Sequence, residues 1–200
     1  ERLSSADPVP GGGSVAAIDA AMASALLAMV SQLTLNRKRY AAVHEQVREL
    51  HDQAVHLRNR AGDLAEADAA AYAAVSAALV LPRDNDEQRS CRKDRMQSAL
   101  KAAAEPPLAT MEVAAEALNL AAVLVNIGNT SAISDVGTAA LCARSAYHAA
   151  RLNVQINMAG VTDDAWREEM IIRLQAIPKP DPVEQDVLAR VVSIIQGDTV

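Results

Sequence analysis

The chain has 200 residues, half of them apolar, yet no Phe, one Trp and three Tyr, so its core has to be built from Ala, Val, Leu, Ile and Met. A net charge of −6, with almost no aromatic rings to stack on bases, argues against a nucleic-acid partner and leaves small molecules or proteins. Cys91 and Cys142 form neither a metal-type pair nor a disulfide framework, which fits a reducing compartment and gives a cytoplasmic expectation.

The elements follow in chain order. "PGGGS" (Pro10 to Ser14) opens a nearly charge-free, alanine-rich helix that the sequence predicts to run to about Leu35 with Ser14 as its N-cap. Its uncharged run between Asp19 and Arg37 is interrupted by Ser24, Ser31, Gln32 and Thr34, so it reads as a buried core helix and no membrane partner is expected. The N-terminus shows no cleavable signal pattern. "NRKRY" (Asn36 to Tyr40) marks a corner.

Val43, Val47, Leu50, Ala54, Leu57, Ala61, Leu64, Asp68, Tyr72, Val75 and Leu79 then recur at about 3.6 residues per step. This predicts one long helix with a continuous buried stripe. Pro82 closes it, and "RDNDEQ" (Arg83 to Gln88) caps a helix that Pro106 and Pro107 interrupt or end. A further helix reaches about Ile127 before Gly128, another spans about Ser134 to Met158, and Thr162, Asp163 and Asp164 cap a shorter one. "PKPDP" (Pro178 to Pro182) predicts a stiff linker before a terminal helix. No strand pattern competes, so the fold class is all-α: a single domain over residues 1–200, an antiparallel bundle of long helices.

Asp68 is the informative residue. The other ionisable groups of its helix lie off the apolar stripe, whereas Asp68 lies on it. A carboxylate removed from water tends towards the pKa range useful for general acid/base work, or takes a cationic partner. A small roll of the helix that turns Ala67 and Ala71 inward fits the same pattern. Tyr72, one turn on, shares the pocket or fills core.

If the first two helices form a hairpin turning near residue 38, residue 13 lies opposite roughly residue 63, and Asp68 is roughly 7 Å farther along the axis. A ligand across "PGGGS" then touches both. The glycines serve either such a pocket or close helix packing. They are no P-loop, because the following Gly-Lys-Ser/Thr and a leading strand are missing.

Arg37 and Lys38 suit a carboxylate or phosphate, but roughly 45 Å of helix separates Lys38 from Asp68, so they reach a shared pocket only through a second subunit. Ser134 and Asp135 either cap their helix or bind a ligand. Asn153 and Asn157, four apart on one face, read a polar ligand edge or hold a neighbouring backbone. The four histidines make no Glu-x-x-His or His-Glu-x-x-His pattern, so no metal is expected.

These residues fall into a known arrangement. "DPVPGGGSV", "NRKRY", "ADAAAY", "LPRDN" and "NTSAISDVGTAAL…LNVQIN" occur in that order between about Asp7 and Trp166, and the combination resembles the cyclodeaminase/cyclohydrolase family. The resemblance implies an all-helical homodimer acting on one-carbon-substituted tetrahydrofolate, with no cofactor beyond that substrate. The family's catalytic acid falls on Asp68 by its "D-A" context. Pro10, Gly11, Gly12, Gly13 and Ser14 would shape the pocket, and Tyr72, Arg37, Lys38, Ser134, Asp135, Asn153 and Asn157 complete the candidate binding set.

The chain departs from the family at Asp19 and Ala20, where relatives carry small residues and usually Gly, and at Asn36, which replaces a usual Gly. "NTSAISDVG" is closer to the free-standing cyclohydrolases than to the "NLACRSDL" of the bifunctional enzymes, which favours methenyltetrahydrofolate cyclohydrolase over formimidoyltetrahydrofolate cyclodeaminase. A non-catalytic folate- or partner-binding module is the alternative of another class, and Asp19 is the feature that keeps it open.

Overall fold

A computed structural model describes residues 2–5, 7 and 9–197; Pro8 of the "DPVPGGGSV" motif lies outside them. Among the described residues every regular element is helical. The α-helices are α1 (Gly12–Leu35), α2 (His44–Leu79), α3 (Asp86–Ile127), α4 (Ile133–Ala159), α5 (Asp164–Ala176) and α6 (Pro180–Gln196), with 3-10 turns at Arg2–Ser4, Lys38–Val43 and Thr130–Ala132. Consecutive long helices pack side by side, and α1 also packs on α4, so the first four close into an antiparallel bundle with α6 laid against α3 and α4.

Small side chains set the spacing of this bundle. Ala16, Ala17, Ala20 and Ala23 of α1 are fully buried and join a core that reaches Met170 of α5 and Val187 and Val191 of α6. The buried hydroxyls of Ser24, Ser31 and Thr34 donate to the carbonyls four residues back, at 2.7–2.9 Å, so the polar breaks in α1 are satisfied inside the helix. By length and composition α1 and α3 are apolar enough to cross a membrane. In this fold they are packed within the bundle.

Several expectations need correction. The N-cap is Gly11, three residues earlier than the expected Ser14 and without a side-chain bond, because the flexible glycines themselves enter the helix and release the Ser14 hydroxyl for another partner. Pro106 and Pro107 do not interrupt α3, which runs unbroken for 42 residues. Lacking an N–H, Pro107 leaves the Ala103 carbonyl without its helical donor, and the Asn157 amide from α4 supplies one at 2.8 Å. The "PKPDP" stretch is not all linker, since α6 begins at Pro180, where a first-turn proline loses no helical bond. Within the two expected capping stretches, Asn85 and Asp163 are the residues that accept, from the Gln88 and Trp166 backbone N–H groups.

The α2 stripe is buried from Val47 to Ala61 and then emerges. Tyr72 is 41% exposed and Leu79 52%, because α2 outruns its neighbours. α1 begins beside Ala65 and Asp68, and α4 ends beside α3, where the Gln97 amide donates to Gly160 O at 2.9 Å. Past that level α2 and α3 continue as a two-helix arm for about eleven residues, roughly 16 Å.

Candidate active site

The site lies where the bundle ends and the arm begins. The expected offset between Gly13 and Asp68 is absent. The corner is a long one, Asn36 to Val43, rather than a tight turn at residue 38, and the extra residues slide α2 along α1 until Asp68 faces the glycines directly. The Ser14 hydroxyl donates to Asp68 Oδ2 at 2.9 Å and lies 3.4 Å from Ala65 O.

Gly13 is buried, and a Cβ built there would overlap the Asp68 carboxylate, its Cγ at 2.6 Å. Only glycine permits this approach. Asp68 itself is half-buried, with part of its surface open to a ligand. At Gly12 a Cβ would meet the Asn153 amide at 3.4 Å, which brings α4 to the same opening. Asn153 Nδ2 donates to Ala149 O, leaving its Oδ1 as the free acceptor. The first-turn amides of α1 add donors with no acceptor inside the helix.

The structure thus brings together Gly11, Gly12, Gly13, Ser14, Asp68 and Asn153, with Pro10 leading in and Tyr72 one turn out along the arm. Asn157 also lies on this side, but its amide is engaged by Ala103 O. Arg37, Lys38, Ser134 and Asp135 are gathered at the far end of the same chain. There the 3-10 turn after α1 meets the α3–α4 connection. Arg39 donates to the Tyr40 hydroxyl at 2.7 Å and to Asn129 Oδ1 at 3.2 Å, and the Thr130 N–H donates to the Tyr40 oxygen at 3.0 Å. Burial acts to raise the Tyr40 pKa, but the bonds from Thr130 and the Arg39 charge outweigh it and hold the phenol below its usual value. Neither Ser134 nor Asp135 caps α4, whose N-cap is Ala132; Asn129 caps the turn before it through Ser131 N.

Asp19 now has a structural account. Its carboxylate accepts from the Ser145 hydroxyl of α4 at 2.8 Å. Burial and the Asp19 charge together push the neighbouring Cys142 thiol up. Asp19 ties α1 to α4 beside the site, without entering it.

Residues 1–176 match the model of the formiminotransferase-cyclodeaminase family. The chain belongs to that family. Among similar proteins, a methenyltetrahydrofolate cyclohydrolase of Methylorubrum extorquens is 37% identical over 177 residues, covering 88% of this chain and 85% of the relative. A formimidoyltransferase-cyclodeaminase of Rattus norvegicus is 33% identical over 168 residues, 84% of this chain, but the match spans 31% of that longer protein. The crystal structure of a formiminotetrahydrofolate cyclodeaminase from Thermotoga maritima superposes with a TM-score of 0.80 at 26% identity, covering 98% of this chain and 92% of that one. The family fold therefore accounts for the helical bundle, and the all-α expectation holds.

Sequence reasoning missed the Arg39–Tyr40–Asn129–Thr130 lock, because its members are about ninety residues apart and each is ordinary in its own segment. The only local signal was an aromatic closing a basic corner. It also left Gly13 undistinguished from its two neighbours, since only the partner across the helix pair makes that position exceptional.

Proposed function

We propose that this chain is a folate enzyme of one-carbon metabolism, a methenyltetrahydrofolate cyclohydrolase, with Asp68 as its acid/base. The observation that carries the reading is the half-buried Asp68 carboxylate, seated on Gly13 and oriented by Ser14, in a chain that aligns with a cyclohydrolase over most of both lengths. Water attacks the methenyl carbon and loses a proton to Asp68. The carboxyl then protonates N5 as its bond to that carbon breaks, giving 10-formyltetrahydrofolate, and the second proton of the water leaves to solvent. One carboxylate can serve both transfers. Asn153 and the α1 amides hold polar edges of the pterin, and Pro10 to Ser14 form the pocket wall.

The relatives named cyclodeaminases favour a second reading, in which N10 attacks the N5-formimino carbon, Asp68 relays that proton and ammonia leaves. The experiment that separates them is a parallel assay of the purified chain on the two folates. Loss of methenyl absorbance supports hydrolysis; ammonia release from formiminotetrahydrofolate supports deamination; neither activity overturns the enzymatic reading.

The same reading includes a cytoplasmic homodimer, in keeping with two free thiols and an exposed apolar row on α1. Ile18, Met22, Met29 and Leu33 are placed symmetrically about the Ala25–Leu26 peptide, so a two-fold pairing of antiparallel α1 helices sets Ile18 on Leu33 and Met22 on Met29. The same symmetry sets Arg37 and Lys38 of one copy beside Ser14 and Gly13 of the other. That supplies the basic groups an anionic folate needs, with Ser134 and Asp135 nearby. Sedimentation of wild type against Met22→Lys tests it: a dimer that the substitution dissociates is the expected result, and a wild-type monomer contradicts it.

A further inference from the structure

Asn157 is set apart from other helical asparagines by where its amide goes. Asn126 and Asn153 donate to the carbonyls four residues back in their own helices, Ala122 O and Ala149 O, both at 2.9 Å. Asn157 instead reaches out of α4 and donates to Ala103 O of α3 at 2.8 Å. The difference lies in the acceptor. Residue 107 is the position that would supply the helical N–H for Ala103 O, but it is proline, whose ring also pushes against that carbonyl. Ala103 is buried, so its carbonyl needs a donor from the protein. Pro106 makes the same deletion one residue earlier, at Ala102 O, but Ala102 is exposed and its carbonyl is left to solvent. Of the two prolines, only Pro107 creates an acceptor that α4 has to satisfy.

The bond fixes which way the amide points. With Nδ2 held by Ala103 O, Asn157 Oδ1 is turned away from that contact, and it accepts no hydrogen bond among the described residues. Asn157 is half-buried and lies four residues beyond Asn153 on the same face of α4, roughly 6 Å farther along the axis. Asn153 borders Gly12 at the opening, and its Oδ1 is also unengaged. Two amide acceptors therefore stand one turn apart beside the glycines, each oriented by a backbone carbonyl that holds its nitrogen.

We propose that Pro107 is a positioning residue of the site: by withholding a helical N–H from Ala103 O, it holds Asn157 in the orientation that presents Oδ1 to a donor edge of the substrate. The role in substrate binding rests on the folate reading above, whereas the link from Pro107 to Asn157 does not. Proline is the least favourable residue for a helix interior, yet Pro107 sits in the middle of a 42-residue helix with its orphaned carbonyl satisfied from outside. Alanine at this position returns an N–H to Ala103 O and draws that carbonyl back along the helix axis. The Asn157 amide is then released to turn to Asn153 O, four residues back, in the manner of Asn126 and Asn153, and its acceptor leaves the opening.

The test is a double-substitution cycle of Pro107→Ala and Asn157→Ala, read by denaturation and by kinetics, with Pro106→Ala as the matched control. In chemical denaturation Asn157→Ala lowers the midpoint in the wild-type background, where it strands Ala103 O, and leaves it unchanged in the Pro107→Ala background, where the helix supplies the donor. In steady-state kinetics on whichever of the two folates the chain turns over, Pro107→Ala raises KM about three- to tenfold, the scale of one hydrogen bond, with kcat within about twofold. It does so without lowering the denaturation midpoint, because the gain in helix propensity offsets the lost ring contacts. Pro107→Val, which returns the N–H with more of the ring's volume, has the same effect on KM. The double variant is no worse than Asn157→Ala alone, and Pro106→Ala leaves KM unchanged. A wild-type KM in Pro107→Ala and Pro107→Val overturns the inference, as does an equal rise in Pro106→Ala or additive effects in either cycle. A wild type that turns over neither folate removes the folate reading, and the positioning role with it, whereas the preceding outcomes leave that reading standing.

Discussion

The two ends of the bundle use the same ingredients, a helix terminus and a few polar side chains from distant segments, but treat them in opposite ways. At the corner end Tyr40, Arg39, Asn129 and Thr130 bond one another, and Asn129 is further held by its N–H to the Thr34 hydroxyl at 2.8 Å. The polar capacity there is spent on joining α1 to the α3–α4 turn. At the glycine end Asp68 receives the Ser14 hydroxyl and is otherwise left for a ligand, and Asn153 keeps an acceptor in reserve. Saturation marks a structural joint, and under-saturation beside a close backbone contact marks the candidate reaction site.

Substitutions at the two ends should therefore separate activity from stability. The largest effect belongs to Asp68→Asn, which removes the proton acceptor and lowers kcat by about 10²–10⁴-fold with the helical signal retained. Gly13→Ala comes next. Its methyl group displaces the carboxylate, and a misplacement of about 1 Å costs on the order of 10²-fold in kcat/KM, accompanied by a stability loss of about 1–3 kcal/mol in chemical denaturation. Ser14→Ala keeps the carboxylate but frees its orientation, and kcat/KM is expected to fall by about tenfold, the lower end for a hydrogen bond to a charged group.

The corner end should answer in stability instead. Tyr40→Phe removes the oxygen that receives two donors and lowers the unfolding free energy by about 1 kcal/mol. The smallest effect is a pH dependence at α6, where Asp181 accepts from Arg144 Nε at 2.9 Å and, when the ring's N–H is at Nε2, from His148 at 3.3 Å. The Arg144 bond comes first among the causes that hold the Asp181 pKa below the ordinary carboxylate value. A depressed carboxylate stabilises the fold above its unfolded pKa, about 3.9, and that contribution is lost as the pH falls through the folded value. The melting temperatures of wild type and Asp181→Asn should accordingly differ at neutral pH and converge as the pH falls through the folded Asp181 pKa.

How much of this was legible in the sequence depends on the range of the interaction. Periodicity located α2 and singled out Asp68, because the 3.6-residue repeat is local information. The capping stretches around Asn85 and Asp163 were legible for the same reason. The helix through Pro106 and Pro107 was not, since its compensation comes from Asn157, fifty residues away. The stripe beyond Ala61 looked buried because periodicity reports which side chains share a face, and says nothing of where the facing helix stops. Asp19 appeared to threaten the site until its partner, Ser145, placed it on the α4 side of α1.

The central claim is that Asp68 performs proton transfer at the open end of the bundle. It is tested most directly by following methenyltetrahydrofolate absorbance under saturating substrate with wild type and Asp68→Asn, while folate binding is measured on the same samples. The account predicts that binding stays within several-fold of wild type while turnover is lost. Turnover that persists in Asp68→Asn would contradict it.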